Sequence, residues 1–149
     1  MWIPNSLDIV IPAYKAKFLP ALLQSLENQN SKNFAVIVSD DASPEPLKPI
    51  CDEFDDRLRI RYVRFEQNLG ATDLAGHWNR SVALSSAQWV LLPGDDDVLE
   101  KNCIESFWTT AAACGKQFDV FSFGVRVIDE HDCIIRNETQ PAATSSAAQ

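Results

Sequence analysis

The sequence predicts an α/β fold, a mostly parallel sheet with helices on both faces, in the order β-α-β-α-β-α-β-α-β. Three observations predict it. Phe34 to Val38 (FAVIV) is apolar without alternation, as a parallel strand covered on both faces reads. Segments with apolar residues at helical spacing separate such runs. Finally, the chain's unusual loops fall where the runs end, and open sheets of this kind bind ligands beyond the carboxyl ends of their strands.

Leu7 to Ile11 forms the first short apolar run, stopped by Pro12. Phe18, Leu19, Leu22, Leu23 and Leu26 then mark a helix, with Pro20 tolerable because it lies in the first turn. After FAVIV, the stretch from Ser39 to Pro44 is turn chemistry, followed by a helix through Leu47, Ile50 and Phe54. Ile60 to Phe65 alternates like a half-exposed strand. A loop at Asn68-Leu69-Gly70 leads to a helix over Leu74 to Ser85 and a fourth strand at Trp89 to Leu92. Ile104, Phe107, Trp108 and Ala111 define the next helix, Val120 to Val127 a fifth strand, and Cys133 to Arg136 a short strand after a turn.

A length of 149 residues suits one compact domain, expected over residues 1–136, with 137–149 as a loop or disordered tail rich in Ala, Ser and Thr. The formal charge of −8 argues against broad contact with phosphate backbones, so nucleic acid is not an expected partner. No segment approaches the roughly 18–20 apolar residues of a membrane span. The first residues, MWIPNSLDIVIP, carry no basic n-region or cleavage site, so a cytoplasmic location is expected. Cys51, Cys103, Cys114 and Cys133 form no C-x-x-C pair and are expected as free, buried thiols.

The triplet Asp95-Asp96-Asp97 is the strongest chemical feature. Adjacent carboxylates repel, so they must be solvated, capped by backbone N–H groups or neutralised by a cation. One reading is an N-cap cluster for the helix beginning near Lys101. The other is a hard-cation site whose oxygen ligands hold Mg2+ or Mn2+ against a diphosphate. Asp40-Asp41 likewise reads either as a turn capping the next helix or as an acceptor for a nucleobase imide N–H or a ribose hydroxyl. Tyr14, just after Pro12-Ala13, offers a flat wall for a base. Asn68 and Gly70 suit a turn with Gly70 at positive φ. Arg80 can reach a phosphate or only solvent, and His77 reads as a surface or interhelical residue. No G-x-G-x-x-G, G-x-x-x-x-G-K-[ST] or G-x-S-x-G motif is present.

Four segments in order, LDIVIPAYKAKFLPALLQSLENQ, FAVIVSDDAS, NLG and WNRSVALSSAQWVLLPGDDDVL, resemble the nucleotide-sugar half of a family 2 glycosyltransferase. The resemblance covers about residues 7–100 and implies the GT-A (Rossmann-like) fold. It implies transfer of a sugar, with inversion, from a nucleoside diphosphate donor of UDP type to a saccharide or lipid-linked acceptor. It further implies a nucleotide-sugar site of Pro12, Tyr14, Asp41, Asn68, Gly70, Asn79 and Asp95, with Asp41 on the base and Asp95 on the ribose side. Asp96 and Asp97, in the D-x-D motif, become the ligands of Mn2+ or Mg2+. Gly94 stands where the family commonly has an Asp. The family's general base follows the segment resembling Phe118 to Arg136, so the catalytic base is expected outside these residues, with Glu130 and Asp132 as surface charges of a turn. Work at the cytoplasmic face of a membrane, peripheral membrane association and homo-oligomerisation are part of the same expectation. A non-catalytic nucleotide-sugar-binding module and a sugar nucleotidyltransferase stand as alternatives, although PAYKAK is a poor substitute for the latter's Gly-rich loop.

Overall fold

The computed structural model describes residues 3–137, with side chains from residue 6 onward. These residues fall into two compact units that divide between Thr109 and Thr110.

The first unit is built on β1 (Ile3–Ala13), β2 (Ala35–Asp40), β3 (Ile60–Arg64) and β4 (Ala87–Leu91), with α1 (Leu19–Glu27), α2 (Leu47–Asp52) and α3 (Leu74–Val82) connecting them. The sheet is wholly parallel in the order β3-β2-β1-β4. The two inner strands carry the apolar runs: Ile9, Val10, Ile11, Val36 and Val38 are fully buried. Edge strand β3 exposes Arg61 and Arg64, which suits the alternation of its sequence. The α1 residues Leu19, Leu22, Leu23 and Leu26 supply the other side of the core, as their spacing requires.

Because β1 lies inside the sheet, the chain first winds outward through β2 and β3 and then returns past β1 to lay down β4. Right-handed crossovers place helices made in the two directions on opposite faces. The reversal also opens a crevice between the carboxyl ends of β1 and β4, the switch point at which such sheets bind ligands.

The start of α4 (Cys103–Cys114) is held by a residue the sequence did not single out. Gln29, 3% exposed, donates to the carbonyls of Ser25 and Glu100 and accepts the Ile104 N–H through Oε1 at 3.1 Å. It thus satisfies a first-turn amide that would otherwise have no intrahelical partner. The acidic triplet caps no helix, since α4 begins six residues after Asp97.

The second unit holds β5 (Arg126–Ile128) and β6 (Ile134–Asn137), paired antiparallel in a sheet of their own. The fifth strand expected over Val120 to Val127 is therefore shorter and does not extend the parallel sheet. Val120 and Val125 are 81% and 56% exposed, and pairing starts only at Arg126. A local hairpin closes instead. Asp129 Oδ1 accepts the N–H groups of His131 and Cys133, and Asp132 takes a φ of +62°. Such a turn joins its strands at a smaller entropic cost than another crossover would. Glu130 and Asp132 are exposed on it, as expected. Asn137 closes β6, and the rest of the expected tail lies outside the described residues.

All four cysteines are free, but only Cys51 is buried, and burial pushes its thiol up to about 12. Cys103 and Cys114 are half-buried and Cys133 is exposed, because the helix and hairpin bearing them have open faces.

A single buried charge ties β2 to β3. Asp40, fully buried, accepts the Ser43 N–H at 2.7 Å and an Arg64 N–H at 2.5 Å, and also takes the Tyr62 hydroxyl. Desolvation first, and then the bond to Asp40, push the Tyr62 phenol up to about 12, so it remains a donor. Replacing Asp40 by Ala is expected to cost about 1–3 kcal/mol, since it strands the buried Ser43 N–H and the half-buried Tyr62 hydroxyl. Urea unfolding checks this, and an unchanged midpoint would show that Asp40 contributes nothing to the fold.

Candidate functional site

The carboxyl ends of β1, β2 and β4 meet in a lattice of carboxylate-to-amide hydrogen bonds. Asp95, in the loop after β4, accepts the N–H groups of Tyr14 at 2.7 Å and Lys15 at 2.8 Å through one oxygen, Oδ2. Two backbone donors on one carboxylate stabilise its charge and lock the β4 loop onto the β1 loop across the switch point. The Tyr14 carbonyl in turn accepts the Ser43 hydroxyl at 2.6 Å, and the Asp41 N–H reaches the Ala13 carbonyl at 2.9 Å. Between these two residues, Ala42 takes a φ of +54°, a left-handed conformation that costs a non-glycine residue about 1–2 kcal/mol.

Asp41 is 2% exposed and anchors the loop after β3. Its Oδ1 accepts the Leu69 N–H at 2.9 Å and its Oδ2 the Gly70 N–H at 2.8 Å. The Arg80 guanidinium pairs with Oδ1. Neither Asp40 nor Asp41 caps α2, whose N-cap is Pro46 with no side-chain bond. Gly70 owes its identity to crowding and not to positive φ, since Gly115 is the glycine found there among the described residues. A Cβ on Gly70 would lie 2.6 Å from Asp41 Oδ2. Asn68 braces the same turn by accepting the Ala71 N–H at 2.9 Å.

Sequence reasoning missed His77 and Arg80 as members of this cluster. His77 is 3% exposed, not a surface residue. Burial pushes its pKa down, with Arg80 acting the same way and Asp41 opposing. Arg80 Nε donates to His77 Nδ1 at 3.3 Å, which requires that nitrogen to be bare, so the ring is neutral. Arg80 is partly turned inward: its side chain is 25% exposed and its guanidinium lies 3.8 Å from the centroid of the Phe65 ring. The available signal was the i, i+4 pair His77 and Ser81, which is the buried side of α3.

Gly94 to Asp97 closes on itself. The Gly94 N–H donates to Asp97 Oδ2 at 2.8 Å, and the Asp97 N–H returns to the Gly94 carbonyl at 3.2 Å. A Cβ at Gly94 would come within 2.8 Å of Asp96 Oδ1, so a larger residue here would require the exposed Asp96 side chain to turn aside. Asp96 and Asp97 are exposed. Among the described residues no three His, Cys, Asp or Glu side chains converge on one point. A cation here would thus take one or two carboxylates from the protein and its other oxygens from a ligand, the usual donor set for Mg2+ beside phosphate.

Of the residues singled out from sequence, Pro12, Tyr14 and Asp95 meet at the β1–β4 switch point, with Asp96 and Asp97 in the adjoining turn. Asp41, Asn68 and Gly70 meet at the end of β2. Pro12 is half-buried in register with Ser39, and the Tyr14 side chain is 39% exposed. Asn79 is exposed on α3, and no side-chain hydrogen bond joins it to either cluster among the described residues.

The profile of Glycosyl transferase family 2 matches residues 8–141, which takes in all of the sheet but the first residues of β1, both clusters and the hairpin. The chain belongs to this family. It is 30% identical over 139 residues to an uncharacterised glycosyltransferase of Haemophilus influenzae, covering 85% of this chain and 45% of that protein. It is 45% identical over 62 residues to the chondroitin synthase of Escherichia coli, covering 40% of this chain and 9% of that one. The chain spans less than half the length of the curated relatives it matches. Its fold is that of GT-A glycosyltransferases such as Staphylococcus aureus TarS. The structure of TarS 1-349 with UDP-GlcNAc matches 72% of this chain and 31% of its own, with a TM-score of 0.66 and 23% identity.

Replacing Gly70 by Ala is expected to destabilise the protein by roughly 1–3 kcal/mol, because the new methyl group must displace a buried carboxylate. Urea denaturation of the variant measures it, and a loss below a few tenths of a kcal/mol would mean the loop yields freely.

Proposed function

We propose that the chain is the donor-binding part of a glycosyltransferase using a UDP-type sugar nucleotide. The carrying observation is the pair of bonds from Tyr14 and Lys15 N–H to Asp95, which puts the acidic turn beside the aromatic strand-end loop at the switch point. Proteins of the same fold support the reading. S. aureus TarS has been solved with UDP-GlcNAc, and a mannosyltransferase of Pyrobaculum calidifontis, matched at a TM-score of 0.61 and 17% identity over 73% of this chain and 32% of its own, with GDP-Man and Mn2+.

In this reading the base lies against Tyr14 and gives its imide N–H to Asp41. Oδ2 is the oxygen suited to it, because Oδ1 already takes the Leu69 N–H and the Arg80 guanidinium, whereas Oδ2 takes Gly70 alone. Asp95 keeps Oδ1 for the ribose hydroxyls, its other oxygen being held by the backbone. Asp96 and Asp97 are the residues that would hold Mn2+ or Mg2+ on the diphosphate side, and a cation bound there would supply charge neutralisation for the departing nucleoside diphosphate. The reaction is one in-line displacement. The acceptor hydroxyl oxygen bonds to the anomeric carbon as that carbon's bond to the diphosphate oxygen breaks, and the hydroxyl proton passes to a base. Pro12, Asn68, Gly70 and Asn79 line or shape the donor side, and a base outside residues 1–136 completes the reaction. The acceptor is a saccharide or a lipid-linked sugar. Among the described residues no helix is long and apolar enough to cross a membrane, and we place the enzyme at the cytoplasmic face by peripheral association.

UDP affinity, measured by calorimetry, is expected to rise with Mn2+ over EDTA, and Asp96→Ala to remove most of that gain, because a diphosphate cannot sit beside three carboxylates without a cation. Equal affinity in both conditions would overturn the metal role. Asp41→Asn is expected to weaken UDP binding by roughly 1.5–3 kcal/mol, the worth of a charge-assisted hydrogen bond. Unchanged affinity, with the fold retained by circular dichroism, would leave Asp41 as a loop anchor only.

A further inference from the structure

The third helix turns its polar side inward. His77 and Ser81 are buried, whereas Leu74, Trp78 and Val82 are exposed. Arg80, at the end of this helix, is only 25% exposed in its side chain and makes four separate contacts. Its Nη2 donates to Asp41 Oδ1 and, at 2.9 Å, to the Gln67 carbonyl. Its Nε donates to His77 Nδ1, and its plane lies over the Phe65 ring. Held on two nitrogens and one face, the guanidinium has a single orientation, which a flexible ammonium could not reproduce.

We infer that Arg80 is a positioning residue for nucleotide recognition: it clamps Asp41 and the Gln67–Gly70 loop into one rigid unit, and His77 aims it by accepting its Nε–H. The inference rests on the reading of this part of the chain as the donor site. Without Arg80, Asp41 would remain a buried charge with two backbone donors, and would relax toward water and release the loop. Protonation of His77 acts in the same direction, because Nδ1 then carries a hydrogen facing the guanidinium. The charged groups that face the imidazole are Asp41 from the end of β2 and Arg80 on its own helix. The segment after β3 presents Phe65 and Gly70, which do not titrate. Since the imidazole pKa in place is below its ordinary value, the released state binds the proton more readily, and falling pH favours release.

The test combines amide hydrogen exchange of the free chain with UDP calorimetry in Mn2+, on wild type, Arg80→Met, Arg80→Lys and His77→Gln. In Arg80→Met the Leu69 and Gly70 amides are expected to lose about tenfold or more of their protection, the loss of a charge-assisted bond, with those of Val10 and Val38 unchanged. UDP affinity should fall by a similar factor, and Arg80→Lys should recover only part of either loss. Wild type should show the same loosening between about pH 7.5 and 5.5, and His77→Gln, which can accept but does not titrate, should not. Unchanged protection at Leu69 and Gly70 in Arg80→Met overturns the clamp. Lost protection with unchanged UDP affinity overturns its link to recognition. If wild type binds no nucleoside diphosphate, the donor-site reading fails, while the exchange data still decide the clamp. Should Arg80→Met fail to fold, the wild-type pH series against His77→Gln decides in its place, and a flat series overturns the clamp.

Discussion

Two adjacent carboxylates sit at the end of an inner strand with almost no access to water, and the upper part of the sheet is arranged around satisfying them. A buried carboxylate is tolerated only when opposite charge or several hydrogen-bond donors surround it. Asp40 takes its donors from β3 and its own turn, through Tyr62, Arg64 and Ser43. Asp41 takes its donors from the next loop and α3, through Leu69, Gly70 and Arg80. Asp40 closes β2 and Asp41 follows it, so the pair ties the end of β2 both to β3 and to the loop and helix beyond it. A lone Asp could not have gathered both.

The second organising constraint is topological. Only because β4 returns past β1 does the turn carrying Asp95 come within reach of the Tyr14 and Lys15 amides, some eighty residues earlier in the chain. Closing so long a loop has an entropic cost, which the β1–β4 pairing helps to offset. The last contact, from carboxylate to amide, then needs little further ordering. Family membership and the GT-A fold agree with this arrangement, since the matched residues 8–141 contain Tyr14, Lys15, β4 and Asp95.

Much of the architecture was legible because it depends on periodicity. FAVIV reads as a covered strand and is one; the Leu19, Leu22, Leu23 and Leu26 spacing reads as the buried stripe of a helix, and all four residues are buried. The failures have physical causes. Val120 to Val125 has the composition of a strand, but strand formation needs a partner, and composition cannot say where one lies. On α3 the apolar residues Leu74, Trp78 and Val82 are exposed and the polar His77 and Ser81 are buried, so an ordinary amphipathic reading inverts the helix and leaves His77 on the wrong side. Gly70 was legible as special, yet for the wrong reason, because a close approach between loop and carboxylate leaves no local signature. The roles of Asp95 and Asp41 as braces could not be read either, since each depends on a contact partner far along the chain.

The carboxylates grip main-chain amides at Tyr14, Lys15, Leu69 and Gly70, and touch no side chain at these four positions through those bonds. An amide is the same group whichever residue carries it, proline aside. The framework is therefore indifferent to what projects from positions 14, 15 and 69, and only position 70 is sterically restricted to glycine. Residues 14, 15 and 69 can thus be exchanged for others, proline excepted, without disturbing the bonds that hold the strand-end loops in place.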